Sequence, residues 1–379
     1  MEDPMHDGFG VDYMFKLYSG KNVLITGHTG FKGSWLATWL SALGAKVAGI
    51  AMDPPSQPSF FEAAGLAGVV DDHRMDIRDR QELQEAMRDI QPDFVFHLAA
   101  QPLVRRAYQN PVETYETNIM GTIHLLEALR TMTKPCRAVL ITSDKCYDNL
   151  EWVWGYRETD ALGGPDPYSA SKGAAEIAIR SYVKSYFNDD ESQVRIGVAR
   201  AGNVIGGGDW ALDRIIPDCM RAWSRNEIVE LRSPQAIRPW QHVLEPLSGY
   251  LLLGAQLDMR PELHGETFNF GPPTQQNHTV LELVQNMSRY WEQVQWRDIS
   301  DEYNGPYESS LLMLNCDKAL HQLQWQAALN FDQTVQFTTE WYRYYYQQEC
   351  PSILDFTKSQ IADYTAFARK KGLKWAQIS

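Results

Sequence analysis

Residues 22–44 constrain the fold more than any other part of the chain. "NVLITG" (22–27) is a short β-branched run that stops at glycine, and "SWLATWLSALG" (34–44) follows with helical spacing and a terminal Gly44. Between them "TGHTGFKG" (26–33) sets Gly27, Gly30 and Gly33 in a strand-to-helix turn. Glycines there permit a tight turn, close backbone approach to a pyrophosphate and close helix–strand packing, and the helix N-terminus then meets the anion.

The same alternation continues. "KVAGIAMD" (46–53) reads as a strand ending in an acid, "ELQEAMRDI" as a helix, "DFVFHLAA" as a strand, "TNIMGTIHLLEALRTM" as a helix and "RAVLITS" as a strand. A long helix, "YSASKGAAEIAIRSYVKSYF" (168–187), and a further strand in "VRIGVARAGNVIG" (194–206) complete it. Almost fully apolar strands between helices predict an α/β protein with a parallel sheet covered on both faces. The expected architecture is a Rossmann-type doubly wound sheet with a smaller, discontinuous C-terminal substrate-binding lobe. Residues 1–20 read as a poorly ordered leader, 21–206 as the nucleotide-binding domain with a later segment able to return to it, and 207–379 mainly as the second lobe and tail. After residue 206 the pattern loosens into shorter elements with more prolines, and the tail "WYRYYYQQ" (341–348) is strongly aromatic.

A dinucleotide on this turn would touch Gly27, Thr29, Gly30, Phe31, Lys32 and Gly33. Asp53, at the tip of the second strand, can accept hydrogen bonds from ribose hydroxyls and would repel a 2′-phosphate, which favours NAD over NADP. Lys32 inside the loop opposes that preference. Asp76 and Ile77 border the expected adenine position, while Leu98, Ala99 and Ala100 close the next strand and Asn118 lies on the helix beyond.

"YSASK" puts Tyr168 and Lys172 one helical turn apart on one face. An ammonium beside a phenol lowers the phenol's pKa and makes tyrosine a usable base. Ser143 closes an earlier strand, and the three groups together can take the proton of an alcohol while a nicotinamide takes its hydride. Directly after Ser143 come Asp144 and Lys145. On a surface loop such a pair is ordinary. At the carboxyl end of a parallel strand it can be an acid and a base.

With "TGHTGFKGSWL", "HLAAQPLVRRAY", "TSDKCYDN", "GGPDPYSASKG" and "RAGNVIGGGDW", residues 20–345 resemble the extended short-chain dehydrogenase/reductase family, in its nucleotide-sugar 4,6-dehydratase branch, nearest the members acting on CDP-glucose. Related dehydratases carry Asp-Glu where this chain has Asp144-Lys145, and epimerases have no acid there. The resemblance implies oxidation at C4 by Ser143, Tyr168 and Lys172 with bound NAD, then elimination across C5 and C6 with Asp144 as acid and Lys145 as base. It also implies diphosphate contacts at Asn203 and Arg238, with Arg214 and Arg232 as further candidates, and Gln101 and Arg105 beside the sugar. The segment 302–319 follows the family pattern only loosely, which leaves the base-recognising residues open. A homodimer through "VETYETNIMGTIHLLEALRTM" and the 168–187 helix is implied, with a tetramer as the alternative, and the product would enter deoxysugar synthesis of the O-antigen type.

Other classes fit less well. A net charge of −13 argues against nucleic-acid and acidic-membrane partners, and no apolar run reaches the ~20 residues of a membrane span. Five scattered cysteines, with no Cys-x-x-Cys, suit reduced thiols in a cytoplasmic protein, and the nine histidines show no metal-ligand spacing. The enzymatic alternatives are a 4,6-dehydratase of another nucleotide sugar and a 4-epimerase, and an epimerase would leave Asp144 and Lys145 without a task. A non-catalytic NAD sensor on the same fold would have no use for an intact Tyr168 and Lys172.

Overall fold

The computed structural model describes residues 16–188, 192–273, 275–292, 294–302, 311–346 and 351–377. Its central sheet has seven strands: β1 (Asn22–Thr26), β2 (Lys46–Ala51), β3 (Asp71–Arg74), β4 (Phe94–His97), β5 (Cys136–Ile141), β6 (Val194–Ala201) and β7 (Thr267–Phe270). They are all parallel, in the order β7-β6-β5-β4-β1-β2-β3. The order reverses at β1, where Ile25 lies opposite Gly49 of β2 on one side and Phe96 of β4 on the other. Beyond the strand ends at such a switch point an open α/β sheet forms its ligand crevice.

The helices that matter here are α1 (Phe31–Ala42), α2 (Arg80–Ile90), α3 (Gly121–Leu129), α4 (Pro167–Tyr186), α5 (Leu244–Met259), α6 (Phe331–Tyr345) and α7 (Ile353–Lys370). Side chains alternate across a strand, so Val23 and Ile25 enter a core with α1, α5, α6 and α7, while Leu24 joins α2, α3 and α4 on the other face. Three short strand pairs lie outside the sheet: 204–205 with 241–242, 237–238 with 278–279, and 229–231 with 296–298.

Two expectations need correction. Tyr18 does not belong to a poorly ordered leader: it is fully buried, lies tilted against Phe94 with ring centroids 4.8 Å apart, and donates to the Leu251 carbonyl at 2.7 Å. Residues 1–15 lie outside the described ones. The second half is also less fragmentary than its sequence suggests, with α5, α6 and α7 all long. Helix α5 is buried without a break from Leu244 to Leu257, so it shows no amphipathic stripe to read. The start of the aromatic tail is core: Trp341 and Tyr342 are fully buried against Trp210.

Glu245, at the start of α5, ties the late segments together. Its carboxylate accepts the N–H groups of Ala328 at 2.9 Å and Leu329 at 2.6 Å and the hydroxyl of Tyr364, on α7, at 2.7 Å. Burial pushes this carboxyl up to about 7, against the pull of those three donors. The Tyr364 ring in turn meets Trp39 of α1 edge-on, with centroids 5.8 Å apart.

Candidate active site

The glycine loop joins β1 to α1. Gly27 takes φ +79°, and a Cβ there would sit 2.8 Å from the backbone nitrogen of Ala99. A Cβ at Gly33 would overlap the carbonyl oxygen of Gly27. Both positions are closed to larger residues, so the loop packs directly on the segment after β4. Gly30 offers no side-chain cap to α1, which leaves first-turn N–H groups to meet an anion. This cradle fits a dinucleotide pyrophosphate. Thr29 donates to the Met52 carbonyl at 3.0 Å and fastens the loop to the end of β2. Leu98, Ala99 and Ala100 are half-buried beyond β4, and Phe31 packs against the core.

At the tip of β2 the Asp53 side chain is 95% exposed and 3.5 Å from Arg74. Arg74 is gripped by Asp72 at 2.8 and 2.9 Å, so its guanidinium is engaged by carboxylates. Asp76 pairs with Arg78 at 2.6 Å, and Ile77 is buried against Gly121. Asn118 is buried and donates to Ser171 at 2.8 Å and to the Gln101 carbonyl at 3.2 Å, pinning the loop after β4 to α4.

Lys32 does not face the ribose side of the loop. Its amine donates to Tyr250 Oη at 3.3 Å and shares its surroundings with Asp144, Arg214, Lys172 and Lys145. Burial lowers it to about 7. Its charge therefore belongs to the reaction pocket, and the objection it raised to the NAD preference falls away.

The strand β5 delivers Ser143, and Asp144–Cys146 form a single 3-10 turn after it. Ser143 Oγ donates to Asp144 Oδ1 at 2.9 Å and accepts the N–H of Lys145 at 3.2 Å. Lys145 Nζ reaches Asp144 Oδ1 at 3.5 Å and Asn203 Oδ1 at 3.3 Å. Opposite, Asp166 caps α4 by accepting the N–H groups of Tyr168 at 2.9 Å and Ser169 at 3.0 Å, with Pro167 preset for the first turn. That cap sets Tyr168 close enough to Ser143 for the serine to act on the phenol's pKa. Lys172 is buried one turn on, lowered to about 8 by burial while Cys146 and Glu176 oppose the shift. One turn further, Glu176 accepts from Arg200 Nε at 2.6 Å and from Thr142 at 2.6 Å, which locks α4 to β5 and β6.

One expectation about this cluster reverses. Tyr168 is pushed up to about 12, because burial outweighs the lowering influence of the Ser143 bond and of Arg214.

The candidate substrate residues divide. Arg105 reaches Asp213 at 2.7 Å and Arg232 reaches the same carboxylate at 3.3 Å, so Asp213 draws together the loop after β4 and the second lobe. Asp213 itself has φ +63°. Arg214 pairs with Asp209 at 2.7 Å, close enough to act on the charge of Tyr168. Arg238 donates to the Ile237 carbonyl at 2.8 Å on the outlying 237–238 strand. Gln101 is turned inward: its amide donates to Leu103 O at 3.1 Å and Thr114 Oγ1 at 3.0 Å and accepts from Leu103 N at 2.7 Å. It shapes its loop and offers no amide proton to a sugar. Residues 303–310, within the weakly matching segment, lie outside the described residues. Tyr250, Asp213, Glu176 and Arg200 escaped sequence reading because each acts through partners far away in the chain. Among the described residues no group of acids, histidines and cysteines is arranged to hold a metal.

Known proteins resemble this chain over most of its length. A profile of the GDP-mannose 4,6 dehydratase family matches residues 24–338. The CDP-glucose 4,6-dehydratase of Salmonella typhimurium is 46% identical over 351 residues, 92% of this chain and 97% of that protein. A probable dTDP-glucose 4,6-dehydratase of Sinorhizobium fredii is 25% identical over 84% of this chain and 92% of its own length. Among solved structures, the UDP-glucose 4-epimerase of Brucella ovis in complex with NAD superposes with a TM-score of 0.71 at 22% identity, covering 85% of this chain and 98% of that one.

Proposed function

The chain belongs to the GDP-mannose 4,6 dehydratase family, and we propose that it is an NAD-dependent lyase converting CDP-glucose to CDP-4-dehydro-6-deoxyglucose. One observation supports the reading: Asp144 and Lys145 adjoin Ser143, and so does the Tyr168 phenol. An alcohol oxidation needs only the second half of that set. The acid–base pair has work to do once a ketone at C4 has acidified the proton at C5.

Bound at this cradle, NAD would supply the hydride acceptor for C4 and the hydride donor for C6. The chain's own groups do the rest. Tyr168 takes the proton of the C4 hydroxyl, and Lys172 presents a cation from the same face of α4. Lys145 removes the C5 proton and later returns it, while Asp144 protonates the departing C6 hydroxyl. The cradle at Gly27, Gly30 and Gly33 holds the pyrophosphate, and Asp53 favours NAD by repelling a 2′-phosphate. Arg105, Arg232 and Arg214, with Asn203 and Arg238, are the candidates for the nucleotide diphosphate, an anion that this acidic protein must meet locally. CDP-glucose as substrate is supported by the 46% identity over nearly all of both chains.

Assembly as a homodimer is supported by exposed apolar side chains on the helices suited to an isologous contact, Val112 and Met120 before α3 and Ile177 and Tyr186 on α4. Buried thiols at Cys136, Cys146 and Cys219 suit a reducing cytoplasm, and the 4-keto-6-deoxy product suits deoxysugar synthesis of the O-antigen type. No helix among the described residues is long and apolar enough to cross a membrane.

The test is an incubation of purified protein and NAD with CDP-, UDP-, GDP- and dTDP-hexoses. The 4-keto-6-deoxy product should form fastest from CDP-glucose. Deuterium placed at C4 should reappear at C6 of the same molecule, and C5 should acquire one solvent proton. Loss of the C4 deuterium to solvent would overturn the reading.

A further inference from the structure

A chain of hydrogen bonds runs from inside the glycine loop to the tip of β2. His28, within the loop, is fully buried, and its ring lies so close to β2 that a Cβ at Gly49 would overlap it. The ring Nε2 meets Asp72 Oδ1, on β3, at 2.8 Å. The Arg74 fork grips the same carboxylate, Nε to Oδ1 at 2.8 Å and Nη2 to Oδ2 at 2.9 Å. Loop, carboxylate and guanidinium are thus one unit.

These contacts leave Arg74 little freedom. Its guanidinium lies 4.9 Å from the centroid of the Phe61 ring, and Phe61 meets His28 edge-on with centroids 5.3 Å apart. A planar fork fixed on two oxygens and an aromatic face is preorganised in a way that a lysine is not. The Nη1 end reaches the Met52 carbonyl at 3.2 Å and Asp53 Oδ1 at 3.5 Å. Thr29 of the glycine loop donates to the same Met52 carbonyl at 3.0 Å, so cation, loop and strand tip converge on one point. The Asp53 side chain is 95% exposed and that of Arg74 32%, which leaves both open to a ligand at this tip.

We propose that Arg74 is a second specificity residue for the cofactor: with Asp53 it reads the 2′-position of the adenosine ribose, and Asp53 keeps it from serving as a 2′-phosphate site. The inference rests on the reading above that the cradle holds NAD with Asp53 at the ribose. A 2′-hydroxyl can donate to a carboxylate and accept from a guanidinium at once. Asp53 Oδ1 and Arg74 Nη1 present that pair side by side. A 2′-phosphate brings charged acceptor oxygens instead. It is repelled by Asp53, while the Arg74 charge is already compensated by Asp72. Without Asp53 the carboxylate partner of Nη1 is gone, and the N–H groups of a fixed guanidinium suit a phosphate. The preference for NAD then resides in the pair, not in Asp53 alone.

The test is binding, measured by calorimetry of NAD and of NADP on cofactor-free protein. Wild type should hold NAD at least about tenfold tighter than NADP. Asp53→Ser should tighten NADP by about tenfold or more and erase that preference, and Asp53→Ser/Arg74→Gln should lose the gain. Arg74→Gln alone should weaken NAD by about tenfold. If the glutamine variants do not fold, Asp53→Ser/Arg74→Lys replaces them; lacking the fork, it should lose at least about threefold of the gain. An Asp53→Ser variant that gains nothing for NADP overturns the proposal. So does a gain that survives intact when Arg74 is replaced, as it would were the neighbouring Arg78 the cation. A wild type that binds neither dinucleotide would instead defeat the cofactor reading, and one that prefers NADP would defeat the place given to Asp53.

Discussion

Lys32 Nζ and Tyr250 Oη are hydrogen-bonded at 3.3 Å across 218 residues of sequence, and this contact draws a lysine of the glycine loop into the reaction pocket. Burial lowers the amine from 10.5 to about 7. A base with a depressed folded pKa is bound to fewer protons in the folded state, so its cost to stability is full below about pH 7 and fades as pH rises toward the unfolded value. Lys32→Met should therefore melt at a higher temperature than wild type at pH 6, with the gap closing toward pH 10, and it should turn over more slowly. Melting curves across that range decide it; a variant that melts lower at pH 6 refutes the assignment.

The two halves of the chemistry should come apart by substitution. Tyr168→Phe is expected to show no NADH absorbance on addition of CDP-glucose, since the first proton has nowhere to go. Lys145→Ala should oxidise C4 and then stall, with bound NADH accumulating and overall turnover down about 10²–10⁴-fold. Wild-type turnover by Lys145→Ala would remove Lys145 from the role of base.

Glu245 should make stability fall as pH rises. Its folded pKa is raised from 4.5 to about 7, so the folded state holds the proton more tightly, and its contribution is complete below about pH 4.5 and lost through pH 7. Relative to Glu245→Gln, wild type should lose about 3 kcal/mol of unfolding free energy across that interval. Denaturant titrations of both proteins at pH 5 and pH 8 give the difference, and parallel pH profiles would contradict the buried, protonated carboxyl.

Light scattering at micromolar concentration should return twice the chain mass for wild type. Replacing Met120 and Ile177, which are 44% and 51% exposed on the proposed contact helices, by glutamate should halve that mass and leave the melting temperature of the subunit core little changed. A monomeric wild type rules the dimer out.

What could be read from sequence was what depends on near neighbours in the chain. The β1 run, the glycine turn and the start of α1 sit within residues 22–42, and Tyr168 and Lys172 share a helical turn. Ser143, Asp144 and Lys145 were legible because they are consecutive after an apolar strand. What depends on distant partners was not. Nothing near Lys32 announces Tyr250, and Gln101 looked free until Thr114 and Leu103 were seen to hold its amide. The joint grip of Asp213 on Arg105 and Arg232 needs two loops to meet. Helix α5 was lost for the opposite reason: being apolar on every side, it has no pattern to detect.

The bonds to Glu245 also impose an order on biosynthesis. The glycine loop and α1 leave the ribosome well before the helix whose Tyr364 covers Trp39 and caps the Glu245 carboxylate. Until then the nascent chain exposes an apolar flank of α1 and an unpartnered acid. A newborn chain must therefore keep that flank sheltered, by a chaperone or by speed, and messages truncated before residue 364 should yield aggregates rather than a smaller working enzyme.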